Sequence, residues 1–179
     1  MVYIPSGTEL LNPFQILKKI GVGEKMKVVD LGCGTMGHFV FPASHLVGED
    51  GAVYAIDILK PALQGIESKA KLEGVANVHP VWSDIEILGG AKIKDGSMDI
   101  ALLVNVSAKE GMIKEAMRLI KKGGKLLVVD WGKGAAPLGP PVEKRPDVEK
   151  IKTNAKKIGL RLEHEFKAGQ YHFGLIFTK

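Results

Sequence analysis

Val28-Val29-Asp30-Leu31-Gly32-Cys33-Gly34-Thr35-Met36-Gly37 is the stretch on which the rest of the chain turns. An apolar run ends in an aspartate, a glycine-rich turn follows, and His38-Phe39-Val40-Phe41 opens a helix. Glycines are needed where the backbone turns sharply and a ligand approaches the main chain with no Cβ in the way. Such a turn also points bare N–H groups, and the positive end of the next helix, at the ligand. The stretch therefore reads as strand, binding turn and helix, with a nucleotide-like ligand at the turn.

The same alternation continues in both directions. Residues 1–11 read as an irregular arm, and Asn12-Pro13 then starts a helix, with Asn as cap and Pro at the first helical position. Phe14, Leu17 and Ile20 share one face of that helix, and Gly21 ends it. Strand-like runs follow at residues 26–30, 52–57, 78–82, 98–104 and 125–131, each apolar enough to be covered on both faces. Helices are predicted from the glycine turn to Val47, from Pro61 to Gly74 (Leu63, Ile66, Ala70 and Leu72 inward) and from Ala108 to Lys121. The last of these carries Met112, Ile113, Ala116, Leu119 and Ile120 on its apolar face, and Gly123-Gly124 is expected to terminate it. Residues 132–147 are a long Gly- and Pro-rich loop, read as flexible, and a final helix covers residues 148–158. Only Lys167-Ala168-Gly169-Gln170 separates the last two strands, residues 160–166 and 171–178, so they form an antiparallel hairpin.

Strands alternating with helices specify an α/β fold: a Rossmann-like, doubly wound, seven-stranded sheet, mostly parallel, with an antiparallel last strand. At 179 residues the chain reads as a single domain, 1–179, with residues 1–21 as N-terminal arm and helix. Hydrophobic residues make up 45% and charged residues 25%, which is ordinary globular composition. The net charge of +5 is carried by scattered lysines, with no basic block of the kind that marks nucleic-acid binding. Cys33 is the only cysteine, so no intrachain disulfide and no cysteine-based metal site is expected; between two glycines it reads as a small filler. No apolar run approaches the roughly 18 residues of a membrane span, and the start lacks a signal-peptide pattern. A cytoplasmic protein without membrane association is expected.

Two readings of the glycines compete. Gly32-x-Gly34-x-x-Gly37, with Asp57 twenty residues further on, matches the dinucleotide fingerprint of an NAD-binding oxidoreductase. Four features point elsewhere: Asp30 directly before the turn, Asp84 after the third strand, the closing hairpin, and the lack of a second domain for a hydride partner. Val28-Val29-Asp30-Leu31-Gly32-Cys33-Gly34, Ala55-Ile56-Asp57, Trp82-Ser83-Asp84-Ile85 and Lys122-Gly123-Gly124-Lys125-Leu126-Leu127-Val128-Val129-Asp130-Trp131, in that order, resemble class I S-adenosylmethionine-dependent methyltransferases. The nearest likeness is to small members related to the ubiquinone and menaquinone biosynthesis methyltransferases, over about residues 12–179.

The resemblance implies S-adenosylmethionine as cofactor and S-adenosylhomocysteine as product. It implies that Asp30 and the Gly32-Cys33-Gly34 turn surround the methionine part, and that Asp57 takes the ribose hydroxyls. It further implies that Asp84 meets the adenine amino group, with Ile58 and Ile85 as apolar contacts, and that Asn105 lines the methyl-transfer site. The family pattern is G-x-G-x-G; here Met36 takes the third glycine's place and Gly37 follows, as a one-residue insertion would give.

Methyl transfer from a sulfonium needs a positioned acceptor more than a protonated leaving group. His38, Asn105 and His172 are candidate catalytic residues because topology brings them to the carboxyl ends of the strands, and Trp131 and Tyr171 are candidate walls of the acceptor pocket. A small-molecule acceptor is favoured, with nucleic acid or protein acceptors still open and no metal expected. The 132–147 loop and the N-terminal arm are candidate lids. A catalytically silent S-adenosylmethionine-binding sensor or partner subunit is a further alternative.

Overall fold

A computed structural model describes residues 10–179. The elements run α1 (Pro13–Ile20), β1 (Lys27–Leu31), α2 (Val40–Val47), β2 (Ala52–Asp57), α3 (Lys60–Glu73), β3 (Val78–Trp82), β4 (Met98–Val104), α4 (Glu110–Leu119), β5 (Ile120–Trp131), α5 (Val148–Lys157), β6 (Arg161–Lys167) and β7 (His172–Thr178). The seven strands form one sheet in the order β3-β2-β1-β4-β5-β7-β6. Pairing is parallel from β3 through β5, and β7 runs antiparallel to both β5 and β6, as the short hairpin loop requires. Asn12 caps α1 by accepting the Gln15 N–H at 3.1 Å, and Gly21 closes it in the left-handed conformation.

Alternation along the strands divides the core into two layers. Val28, Val53, Leu102, Leu127 and Ile176 pack beneath α1, α2 and α3. Val29, Ile56, Leu103, Val128 and Leu175 pack beneath α4 and α5. By the same alternation Asp30, Asp57, Trp131 and His172 all project to the α1–α3 side, at the carboxyl ends of their strands or, for the antiparallel β7, at the end beside them.

Several local expectations need correction. Phe14 and Leu72 lie on solvent faces, 43% and 88% exposed, and Ile16 and Ala62 take the inward places. The helix after β4 stops at Leu119 instead of running to Gly123-Gly124. Ile120 already pairs with Met98, and the intervening residues loop out before Lys125 rejoins Ile100. Glycine is required inside that excursion because a Cβ on Gly124 would lie 2.9 Å from the Asp99 carbonyl. Leu10 is helical, whereas residues 1–9 of the predicted arm fall outside the described residues. The 132–147 segment is not structureless: Val142–Lys144 makes a 3-10 turn, and Arg145 ties the segment to itself.

Candidate active site

The glycine turn is built on the end of β2. Gly32 and Cys33 both donate to the Ile56 carbonyl, at 2.8 and 3.0 Å, so the chain reverses while still attached to the sheet. Gly32 has φ +85°, and a Cβ there would come within 2.6 Å of Val106 Cγ1 and 3.5 Å of Ile85 Cδ1. Val106, one residue past Asn105, is therefore a wall of the turn that the sequence did not single out. Met36 is 71% exposed and Gly37 is buried, so the extra residue bulges outward and leaves the Gly32–Gly34 turn intact. The Cys33 thiol is buried beside Asp30 and Asp57, which together with desolvation push its ionisation well above the ordinary range. It is a filler, not a nucleophile.

Two carboxylates share the space behind the turn. Asp57 accepts the Gly34 N–H through Oδ2 and the Leu59 N–H through Oδ1, both at 2.9 Å. It thus holds the glycine turn and the β2–α3 turn together, with lone pairs remaining on each oxygen for a diol. Asp30 is 3% exposed, and its pKa is pushed up to about 7, first by burial and then by the charge of Asp57. A ligand ammonium placed here supplies the missing positive charge. Asp84, half-buried after β3, accepts the Glu86 N–H at 2.9 Å. Beside it Ile85 is buried, Ile58 is 52% exposed, and the Trp82 indole N–H donates to the Ile58 carbonyl at 2.9 Å. The predicted positions for the ribose, adenine and methionine parts therefore line one edge of the sheet. These residues fit a charged aminoacyl nucleoside such as S-adenosylmethionine.

The loop after β4 forms the next wall. Asn105 and Ser107 have φ of +55° and +61°, a backbone that non-glycine residues adopt at a cost of about 1–3 kcal/mol and that clusters at functional sites. The loop is held at two points along β5: Asn105 donates its N–H to Val129 O at 2.9 Å, and Ser107 donates its N–H to Asp130 Oδ2 at 2.8 Å. Asp130 is thereby committed to the loop; burial raises its pKa and the two backbone N–H groups pull it back.

Beyond β5 lies an aromatic cluster. The Trp131 ring stacks near-parallel to Tyr171 at 6.4 Å and meets His172 at 4.1 Å. A cavity of about 470 Å3 opens here, lined among others by Gly132, Ala135, Phe166, Tyr171 and His172. His172 is 3% exposed, neither ring nitrogen has a hydrogen-bond partner, and burial followed by the Arg145 charge lowers its pKa to about 4. The ring is thus neutral near neutral pH. His38 is differently engaged: its Nε2 bonds the Leu11 carbonyl at 3.0 Å. Leu10 in turn covers the hairpin tip at Gly169. The segment around residue 10 therefore bridges the glycine turn and the hairpin, and His38 is its anchor. Among the described residues no group of three or more His, Cys, Asp or Glu side chains could hold a metal ion.

Comparison with known proteins bears on the family and the fold. A family model described as a methyltransferase domain matches residues 23–172. The ubiquinone/menaquinone biosynthesis C-methyltransferase of Shewanella sediminis is 34% identical over 122 residues, 65% of this chain and 47% of that protein. The chain spans about half the length of the curated relatives it matches. A solved SAM-dependent methyltransferase from Aquifex aeolicus superposes with a TM-score of 0.88 at 28% identity, covering 97% of this chain and 93% of that one. A putative type 11 methyltransferase from Sulfolobus solfataricus gives 0.74 at 28% identity, over 95% and 93%. The chain belongs to the methyltransferase-domain family, and its fold is that of the S-adenosylmethionine-dependent methyltransferases.

Proposed function

We propose that this domain transfers a methyl group from S-adenosylmethionine to a small-molecule acceptor by in-line displacement. The observation that carries the reading is the row of Asp30, Asp57 and Asp84 at the ends of neighbouring strands β1, β2 and β3 around a glycine turn. Bound there, the cofactor supplies an electrophilic methyl carbon whose thioether leaving group needs no proton. Asp30 pairs with the ammonium, Asp57 takes the diol, and Asp84 with Ile58 and Ile85 receives the base. Asn105, Val106 and the aromatic cluster lie on the acceptor side, where holding the nucleophile in line and sheltering it from water is the main catalytic work.

The cavity beside Trp131 has the size of a small-molecule site. No helix among the described residues is long and apolar enough to cross a membrane.

Titration calorimetry with S-adenosylmethionine, S-adenosylhomocysteine and NADH tests the cofactor. Micromolar binding of the first two, lost in Asp57→Ala, supports the proposal. Binding of NADH alone refutes it.

A further inference from the structure

Three arginines occur in the chain, and two of them pair with carboxylates. Arg118 bonds Glu115 and Asp95, and Arg161 meets Glu163. Arg145 is different. It is 7% exposed, yet all its partners are neutral carbonyls: Nε donates to Pro140 O at 2.9 Å, and Nη1 donates to Gly132 O and Gly134 O at 2.8 and 2.7 Å. Its guanidinium carbon sits 5.5 Å from the Trp131 ring centroid, a favourable but partial compensation for a buried cation. Nη2 bonds no described residue.

His172 packs on the same Trp131 ring, with both ring nitrogens buried and unpartnered. A buried polar group without a partner carries a desolvation cost of about 1–3 kcal/mol, and here two nitrogens of one ring carry it together. Gly132 and Gly134, the glycines that Arg145 holds by their carbonyls, line the cavity that His172 also lines. A neutral imidazole can donate once and accept once, whereas guanidinium only donates. A hydrogen-bond acceptor carrying negative charge takes the imidazole N–H and at the same time balances the guanidinium charge, which the neutral carbonyls do not.

Building on the methyltransferase reading, we propose that the acceptor is a small organic anion, its negative group taken by Arg145 and His172 beside Trp131. The apolar and aromatic part of the cavity wall, Ala135, Phe166, Tyr171 and Phe173, suits an apolar or aromatic body, with Lys167 and Gln170 also on the lining. As described, residues 132–147 lie over this position, since Gly139 rests on the Trp131 indole. Entry of the anion therefore requires that segment to shift. Glu165, the acidic residue among the cavity's lining, is already paired with Lys152 at 2.6 Å.

The test is calorimetric titration of the full chain with benzoate, phenyl phosphate and the uncharged benzamide, each with and without saturating S-adenosylhomocysteine. One of the two anions binds at least tenfold tighter than benzamide. Which of them does so identifies the anion as carboxylate-like or phosphate-like. Arg145→Gln weakens that anion at least tenfold, Arg145→Lys recovers part of the loss, and S-adenosylhomocysteine binds all forms alike. In the wild type the anion also shifts the His172 ring resonances in a histidine-labelled NMR spectrum, a readout that survives should an Arg145 variant fail to fold. Equal binding of benzamide and the anions, no binding of either anion, or an unmoved His172 ring overturns the proposal. Failure of S-adenosylhomocysteine to bind would instead strike at the methyltransferase reading, because anion binding is measured without it as well.

Discussion

Asp57, at the end of β2, accepts the backbone N–H of Gly34 at 2.9 Å, so the carboxylate proposed to hold a ribose also fixes the glycine turn. Its other oxygen holds the Leu59 N–H at 2.9 Å. Asp57→Ala removes two charge-assisted bonds at once, each worth about 1.5–3 kcal/mol. The expected outcome is a loss of two to three decades in S-adenosylhomocysteine affinity together with a lowered melting temperature, read by calorimetry and thermal denaturation. A large affinity loss at unchanged melting temperature would mean that the turn stands without Asp57.

Asp30 gives the apoprotein an unusual pH response. Its folded pKa is pushed up to about 7, above the ordinary aspartate value of 3.8, so between those pH values the folded state binds more protons than the unfolded one. Stability contributed by this residue is present below about pH 4 and is lost as pH rises to about 7, by at most roughly 4 kcal/mol. Urea denaturation at pH 5 and pH 8 should show Asp30→Asn gaining most over wild type at pH 8. On the proposed pairing of Asp30 with the ligand ammonium, saturation with S-adenosylhomocysteine should flatten the wild-type dependence.

His172 works in the opposite direction. Its folded pKa is lowered to about 4 from 6.5, so the unfolded chain takes up the proton first and stability is lost as pH falls from about 6.5 to 4. His172→Phe should remove this acid-side loss while leaving the Asp30 dependence in place. A variant whose stability between pH 4 and 6.5 tracks wild type would show that the ring is not held neutral by the fold.

Glu115 is fully buried in α4 and pins the connection between β3 and β4. It accepts Gly89 N at 2.7 Å, Ala91 N at 3.2 Å, and Nε and Nη2 of Arg118 at 2.9 and 2.7 Å. Glu115→Ala leaves the guanidinium without its buried partner and should cost about 3–5 kcal/mol. For a chain of this length that corresponds to a drop of roughly 10 °C in melting temperature. A loss under about 1 kcal/mol would show that Asp95 alone suffices for Arg118.

Gly139, at φ +88°, lies against Trp131, and a Cβ there would sit 2.8 Å from three ring carbons. Gly139→Ala should lift the segment from the indole and red-shift the Trp131 emission, measured in a Trp82→Phe background. Unchanged emission would place the segment elsewhere in solution.

What was legible in the sequence was what periodicity and punctuation encode. The apolar runs at 52–57, 78–82 and 98–104 became β2, β3 and β4 within the predicted bounds. Asp30, Asp57 and Asp84 could be placed at the carboxyl ends of β1, β2 and β3 because each lies within two residues of a strand's end, which periodicity marks. Glu115 was hidden, since a charged residue within a helix reads as solvent-facing until its partner, Arg118, and the N–H groups of Gly89 and Ala91 are seen to converge on it. Arg145 was hidden for a related reason: its partners are carbonyls, which every residue carries and no sequence pattern marks. The end of α4 was misplaced because Ile120 serves equally well as the last apolar residue of a helix and as the first of a strand. Cross-strand pairing with Met98 decided it.

The sheet order has a consequence for how the chain is made. β6 precedes β7 in synthesis, yet β7 lies between β5 and β6. Until β7 emerges, β5 presents Leu126, Leu127, Val128 and Val129, all buried in the finished protein, along an open hydrogen-bonding edge. Such an edge invites pairing with another chain. A nascent chain halted after β6 is therefore adhesive, and inserting β7 both seals that edge and carries His172 to the cavity wall. The closed sheet edge and the completed cavity wall arrive in the same folding event.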